Sequence, residues 1–272
     1  MKYVIKYSCI SHVGMCRSKN QDNYICDGQY KDIEVLSMNK SLIGETVSDK
    51  PSLFGVFDGM GGEDCGEVAA LIAAQSAAET ELNKKSMEVL IEYCKNANQQ
   101  ICQYADANDI DSMGTTAAML VFSGKSVVLC NIGDSKVFLI SNDEMEQISH
   151  DHVIGVSYYI KPLLSQNLGI PPEEMIIEPY VAVGENNIGD RYLICSDGLT
   201  DMLKEDEIQD IIEHTSFENC VDKLLQRALL HGGKDNITII LLEVEKDKTD
   251  VLENPFIFLR KKGRNGETSI CK

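Results

Sequence analysis

The stretch LFGVFDGMGGEDCGEVAA, Leu53–Ala70, ends an apolar run fit for a buried strand on a bare carboxylate, Asp58. Glycine follows at positions 59, 61 and 62, and helix formers come next. Glycine in this setting marks backbone that turns tightly or lies against something. Three occupants fit: a phosphate, a metal ion, or no ligand at all, only a turn. A nucleotide phosphate loop is disfavoured, because GMGGEDCG lacks the Gly-Lys-Ser/Thr that supplies the cation and the magnesium ligand.

On either side of this stretch the pattern is strand, helix pair, strand, helix pair, strand. KYVIKYSCISHVG (Lys2–Gly14) alternates as a strand, and DNYICDG (Asp22–Gly28) reads as its neighbour after a short connection. Residues 28–52 read as a polar, irregular excursion. One helix is expected from Glu63 to about Lys84 and a second over Ser86–Asp106. Strands return in TTAAMLVFSG, SVVLCNIGD, SKVFLISND, YVAVG and DRYLICSDGL, the first two joined by a Gly-Lys turn. Helices over about 204–214 and 216–230 precede a last strand, NITIILLEV. Regular βαβ alternation is absent, which disfavours a doubly wound parallel sheet. The fold class read from this order is α+β, with antiparallel sheets flanked by pairs of helices. The body is expected to span residues 1–245, and residues 246–272 to form a charged, loosely ordered tail.

Bulk properties narrow the function. The 272 residues carry 43 acidic against 25 basic side chains, a net charge of −18. Nucleic acid or an anionic membrane needs concentrated Lys and Arg, so neither is an expected partner. Ten cysteines occur without a CxxC, several inside apolar runs, and read as reduced, mostly buried thiols. The N-terminus alternates instead of forming a signal peptide, and no window reaches the length of a membrane span. The expected location is the cytoplasm.

The functional signal is a recurrence. Asp58 in VFDGMGG, Asp197 in LICSDG and Asp134 in LCNIGDS follow apolar strands, while Asp235 in GGKDNITII and Asp22 in RSKNQDN precede them. One Asp beside a strand end is ordinarily a turn residue. Five that converge would repel one another unless a cation held them. An oxygen-only donor set suits a hard divalent ion such as Mg²⁺ or Mn²⁺. The five histidines form no ligand pattern, and His150 and His152 beside Asp151 read as local hydrogen bonding.

Seven segments in order, RSKNQDN, VFDGMGG, MGTTAAMLVF, NIGDSKVFLI, ISHDH, LICSDGL and GGKDNITII, resemble metal-dependent Ser/Thr protein phosphatases of the type 2C class, compact bacterial kind. The resemblance runs from about Tyr3 to Val244. It implies two β-sheets packed face to face between helix pairs, with metal ions at one end of the sandwich. By motif match Asp58 would bridge two Mn²⁺ or Mg²⁺ ions, with the Gly59 carbonyl reaching one. Asp22, Asp197 and Asp235 would hold the pair, and Asp134 matches a position linked to a third ion. Arg17 matches the arginine that grips the substrate phosphate, and its planar fork suits two phosphate oxygens.

The implied activity is hydrolysis of phosphoserine and phosphothreonine by a metal-bridging hydroxide, without a phosphoenzyme. The implied partners are phosphorylated proteins and a cognate kinase acting on the same targets, with the phosphatase a monomer. Met60 stands where many eukaryotic relatives have a histidine proposed to protonate the leaving alkoxide, and a thioether cannot do so. A water on the Asp134 site is the expected proton source. Three departures stand out: Lys136 in place of arginine, read as structural; a short flap where LLSQNLGI (Leu163–Ile170) replaces a longer segment; and the 28–52 excursion. The short flap leaves substrate choice and the third ion open. Two other readings remain: a non-enzymatic binder of phosphoproteins on the same fold, and a hydrolase of small phosphate esters. Four mutually repelling ligands argue against the binder.

Overall fold

Two antiparallel sheets form the centre of the molecule. This computed structural model describes residues 3–60, 65–83, 86–155 and 163–247. In chain order the strands are β1 (Tyr3–His12), β2 (Asn23–Cys26), β3 (Leu42–Val47), β4 (Ser52–Phe57), β5 (Gly59–Met60), β6 (Gly114–Thr115), β7 (Ala117–Ser123), β8 (Ser126–Ile132), β9 (Lys136–Ser141), β10 (Glu144–Gln147), β11 (Val153–Ile154), β12 (Leu163–Leu164), β13 (Tyr180–Glu185), β14 (Arg191–Cys195) and β15 (Ile237–Lys246). The helices are α1 (Gly66–Glu79), α2 (Ser86–Ala107), α3 (Asp197–Thr200), α4 (Glu205–His214) and α5 (Phe217–Leu230). One sheet has the order β10-β9-β14-β15-β1-β3 and the other β13-β8-β7-β4-β2.

The central strands are apolar on both sides because each sheet is covered twice. Along β7, Ala117, Met119 and Val121 face the α1–α2 layer, while Ala118, Leu120 and Phe122 face the other sheet. Along β15, Ile240, Leu242 and Val244 point between the sheets, and Ile237, Ile239 and Leu241 point to α4 and α5. This two-residue alternation divides the core into three slabs and makes four layers, α-β-β-α. A chain of aromatic contacts stiffens the middle slab: Tyr7–Phe54, Phe54–Phe122 and Phe122–Tyr192, with ring centroids 5.7, 6.1 and 5.3 Å apart. Five of the six alanines of α1 (Ala69, Ala70, Ala73, Ala74 and Ala77) are buried and only Ala78 faces solvent, so that helix lies close against its neighbours.

The α+β class and sandwich architecture agree with the sequence reading, and several details correct it. β2 does not neighbour β1: it pairs with β4, from Asn23↔Phe57 to Cys26↔Phe54, in the opposite sheet. The 28–52 excursion is not wholly irregular, since β3 lies within it and pairs with β1 as an edge strand. The first helix runs Gly66–Glu79 and stops short of Lys84, while Glu63 and Asp64 lie outside the described residues. β15 extends through Lys246, and most of the expected tail lies outside the described residues. Nine cysteines carry free thiols, six of them buried, and Cys271 falls outside the described residues. Among the described residues no helix is long and apolar enough to cross a membrane.

Candidate metal centre

Strand register brings the aspartates to one end of the sandwich. β2 and β4 are antiparallel with Asn23 opposite Phe57, so the next step places Asp22 opposite Asp58. β4 pairs with β7 and β7 with β8, with Val56↔Ala118 and Ala117↔Ile132, which carries Asp134 to the same end. In the second sheet Cys195 opposes Ile239, so Asp197 and Asp235 emerge together at the edge where β14 ends and β15 begins. Two side-chain bonds then tie the sheets to each other. Ser196 Oγ donates to Asp22 Oδ2 at 2.8 Å, and the Gln21 N–H donates to Asn236 Oδ1 at 2.8 Å.

The loops that carry Asp22, Asp58 and Asp134 are held mainly by neutral polar neighbours. The Asp58 N–H donates to Thr116 Oγ1 at 3.0 Å, while its carbonyl accepts from the Thr116 N–H at 2.9 Å and from Thr115 Oγ1 at 3.0 Å. Thr116 Oγ1 in turn meets Ser135 Oγ at 2.7 Å, next to Asp134. Asn236 donates through Nδ2 to the carbonyls of Val13 and Lys19, both at 2.9 Å, pinning the loop that carries Arg17. Asn20 donates through Nδ2 to Ser11 Oγ at 3.0 Å and to the Leu36 carbonyl at 2.8 Å, fixing the backbone ahead of Asp22. Lys31, buried and supplied by the 28–52 excursion, donates from Nζ to the Asn20 carbonyl at 3.4 Å. These supports were missed in the sequence, although Asn20, Thr115, Thr116 and Asn236 stood inside the motifs.

Asp22 carries the electrostatic signature of the site. It is 1% exposed, and its Oδ1 has no hydrogen-bond partner. Burial pushes its carboxyl up to about 6; the bonds from Thr238 and Ser196 oppose the shift, and the charge of Asp235 adds to it. Asp197, 5% exposed, opens α3. A buried carboxylate with an unbonded oxygen beside further carboxylates, and only oxygen donors, fits a hard divalent cation. Asp235 Oδ2 accepts from Arg17 Nη2 at 2.7 Å, and among the described residues no three His, Cys, Asp or Glu side chains form a ready-made ligand cluster. Arg17 thus rests on a carboxylate and brings positive charge to this acidic end of the sandwich.

The raised carboxyl has a measurable consequence. Between its ordinary value of 3.8 and about 6, the native metal-free protein holds a proton that the unfolded chain has released. Stability therefore falls as pH rises through that window, by up to about 3 kcal/mol. In chelator, Asp22→Asn is expected to raise Tm at pH 7.5, with the gain shrinking toward pH 4. Thermal denaturation of both proteins at the two pH values checks this, and a gain independent of pH would contradict it.

Other residues singled out in the sequence find structural roles. Lys136 Nζ forms an ion pair with Asp151, whose other oxygen accepts from Gln147 Nε2 at 2.7 Å, so Lys136 ties β9 to the loop after β10. His150 and His152 stack edge to face at 5.7 Å, and the His152 N–H donates to the Gly133 carbonyl at 3.0 Å. Gly59 pairs with Thr115 across β5 and β6, and a Cβ there would collide with the backbone carbonyls of Gly66 and Gln21. The turn expected from Gly61 and Gly62 lies outside the described residues. Around the short flap, β11 and β12 pair as a small two-stranded antiparallel sheet, and residues 156–162 are not described.

A two-sheet, four-layer α+β sandwich with aspartates gathered at one end defines the class, and comparisons with known proteins define the family. The protein phosphatase 2C family model matches residues 43–237. The chain belongs to that family. It is 32% identical over 220 residues to the serine/threonine phosphatase stp of Listeria welshimeri, covering 69% of this chain and 82% of the relative. It is 26% identical over 261 residues to the serine/threonine protein phosphatase PstP of Mycobacterium tuberculosis, covering 89% of this chain and 45% of the relative, so it spans less than half of that protein. Among solved structures, the catalytic domain of PstP in complex with two manganese ions superposes with a TM-score of 0.73 at 25% identity, covering 90% of this chain and all of that one.

Proposed function

We propose that this chain is a metal-dependent protein phosphatase that hydrolyses phosphoserine and phosphothreonine without a phosphoenzyme. The observation that carries the reading is Asp22, a buried carboxylate bonded across the two sheets by Ser196 and keeping one oxygen without a hydrogen-bond partner. Family membership and the manganese-bound relative support it. Asp22, Asp58, Asp197, Asp235 and the Gly59 carbonyl would hold two Mn²⁺ or Mg²⁺ ions, with Asp134 open to a third. When bound, such ions supply Lewis-acid charge and an acidified water as nucleophile.

The chain's own residues do the rest. Arg17, pinned by the Asn236 bonds to Val13 and Lys19, exchanges Asp235 for two oxygens of the substrate phosphate. Thr115 and Thr116 hold the Asp58 backbone so that its carboxylate does not drift from the other four. Met60 carries no titratable proton, so protonation of the leaving oxygen falls to solvent in the site. The substrates are phosphoproteins, the targets of a Ser/Thr kinase, and the enzyme acts on them as a cytoplasmic monomer.

The test is phosphate release from a phosphothreonine peptide with Mn²⁺, with and without chelator, beside an aryl phosphate at equal concentration. Metal-dependent release favouring the peptide is expected. The short segment between His152 and Leu168 leaves room for a second reading, hydrolysis of small phosphate esters, and turnover of the aryl phosphate alone would select it. No metal-dependent release from either would overturn both.

A further inference from the structure

A cavity of about 400 Å³ opens beside the proposed metal centre, and Met60 forms part of its wall. Met60 lies two residues beyond Asp58, about 7 Å along an extended chain. The cavity is joined to that loop by rigid links. Thr115, whose hydroxyl donates to the Asp58 carbonyl, also exchanges two backbone bonds of 2.9 Å with Leu168. Asn98 on α2 then fixes the next residues, accepting from the Gly169 and Ile170 N–H groups at 2.7 and 3.0 Å and donating to the Ile170 carbonyl at 2.9 Å.

The lining has two characters. Ile110, Met113 and Pro171 give it apolar surface, while Asp106, Asp111, Glu173 and Glu174 supply four carboxylates. Asp106 sits in the last turn of α2, where the helix dipole adds further negative potential. The Glu174 N–H donates to the Pro171 carbonyl at 2.9 Å, a turn that fixes the backbone carrying both glutamates of the lining. The Cys102 thiol on the wall registers the convergence: burial first, then the charges of Asp106, Glu173 and Glu174, push it up. Among the described residues no lysine, arginine or histidine ion-pairs with any of the four carboxylates.

We propose that this cavity receives a lysine or arginine side chain flanking the phosphorylated residue of the substrate protein. The inference rests on the phosphatase reading and narrows its substrate class. A long cationic side chain matches both characters of the lining: its methylene stem covers Ile110, Met113 and Pro171, and its head lies among the carboxylates. The choice also answers the charge problem. A protein of net charge −18 repels a phosphoprotein at long range. A basic flank reverses that locally and draws the substrate to the side of the metal loop.

The test uses phosphothreonine peptides with one arginine placed at each of the three positions on either side, each compared with its alanine counterpart. The readout is the ratio of kcat/KM on the arginine peptide to that on the alanine peptide, which cancels any change in basal rate. At least one position is expected to show a preference of about tenfold. Glu173→Gln with Glu174→Gln should cut that ratio to about twofold, and raising salt to about 0.5 M should shrink it as well. Binding of the same peptides to chelator-treated protein, measured by fluorescence anisotropy, should follow the same order without turnover. Hydrolysis with no preference at any position, or a preference the double variant leaves intact, overturns the cavity assignment. Absence of metal-dependent hydrolysis of every peptide and of an aryl phosphate overturns the phosphatase reading instead. The anisotropy arm still decides the cavity in that case.

Discussion

Asp58→Asn is expected to lower metal-dependent phosphate release by about a thousandfold or more while leaving the fold intact. Asp58 directly follows β4 with its backbone fixed by Thr115 and Thr116, and the β2–β4 register places it opposite Asp22. An amide keeps the shape and loses the charge. Losing roughly 4 kcal/mol of transition-state charge stabilisation corresponds to that factor. Steady-state rates at saturating Mn²⁺, with circular dichroism to verify folding, check it. A variant retaining more than a tenth of the wild-type rate would remove Asp58 from the centre of the mechanism.

The second large effect is steric. At Gly59 an added Cβ would meet the backbone carbonyls of Gly66 and Gln21, neither of which has a flexible end to move aside. Gly59→Ala must therefore push the start of α1 away from the loop that leads to Asp22. Overpacking of this kind costs about 3 kcal/mol, or about 6–12 °C in Tm for a chain of this size. It should also weaken Mn²⁺ binding, because it separates the two segments that carry Asp22 and Asp58. Differential scanning calorimetry in chelator isolates the structural part. A Tm within about 1 °C of wild type would show that the loop relaxes at no cost. The sequence suggested that Gly59 is there so that its carbonyl can approach an ion, and the packing supplies a reason that holds without one.

The limits of the sequence reading follow the same physics. Strands such as β4, β7 and β15 were legible because burial on both faces writes them as continuous apolar runs. Their partners were not legible, since a two-residue period says which face is buried but not which strand lies alongside. That is why β2 was assigned beside β1. β3 was overlooked because LIGETV alternates between half-buried and exposed positions at a sheet edge, where polar composition is allowed. The five aspartates were legible because each adjoins a strand that could be seen. The bonds that position them join residues far apart in the chain, Ser196 to Asp22 across 174 positions and Gln21 to Asn236 across 215. The acidic cavity is assembled likewise, from the end of α2, β6 and the segment around Pro171, and no local pattern announces it.

Two divalent ions are proposed to sit among the strand-end aspartates. The most direct measurement is anomalous scattering from crystals grown with Mn²⁺. Two peaks are expected, both within coordination distance of Asp58 and shared among Asp22, Asp197 and Asp235, with Arg17 released from Asp235. An Asp197→Asn crystal under the same conditions should lose at least one of them. No anomalous density at this end of the sandwich, in crystals of a protein that still hydrolyses phosphothreonine, would contradict the account.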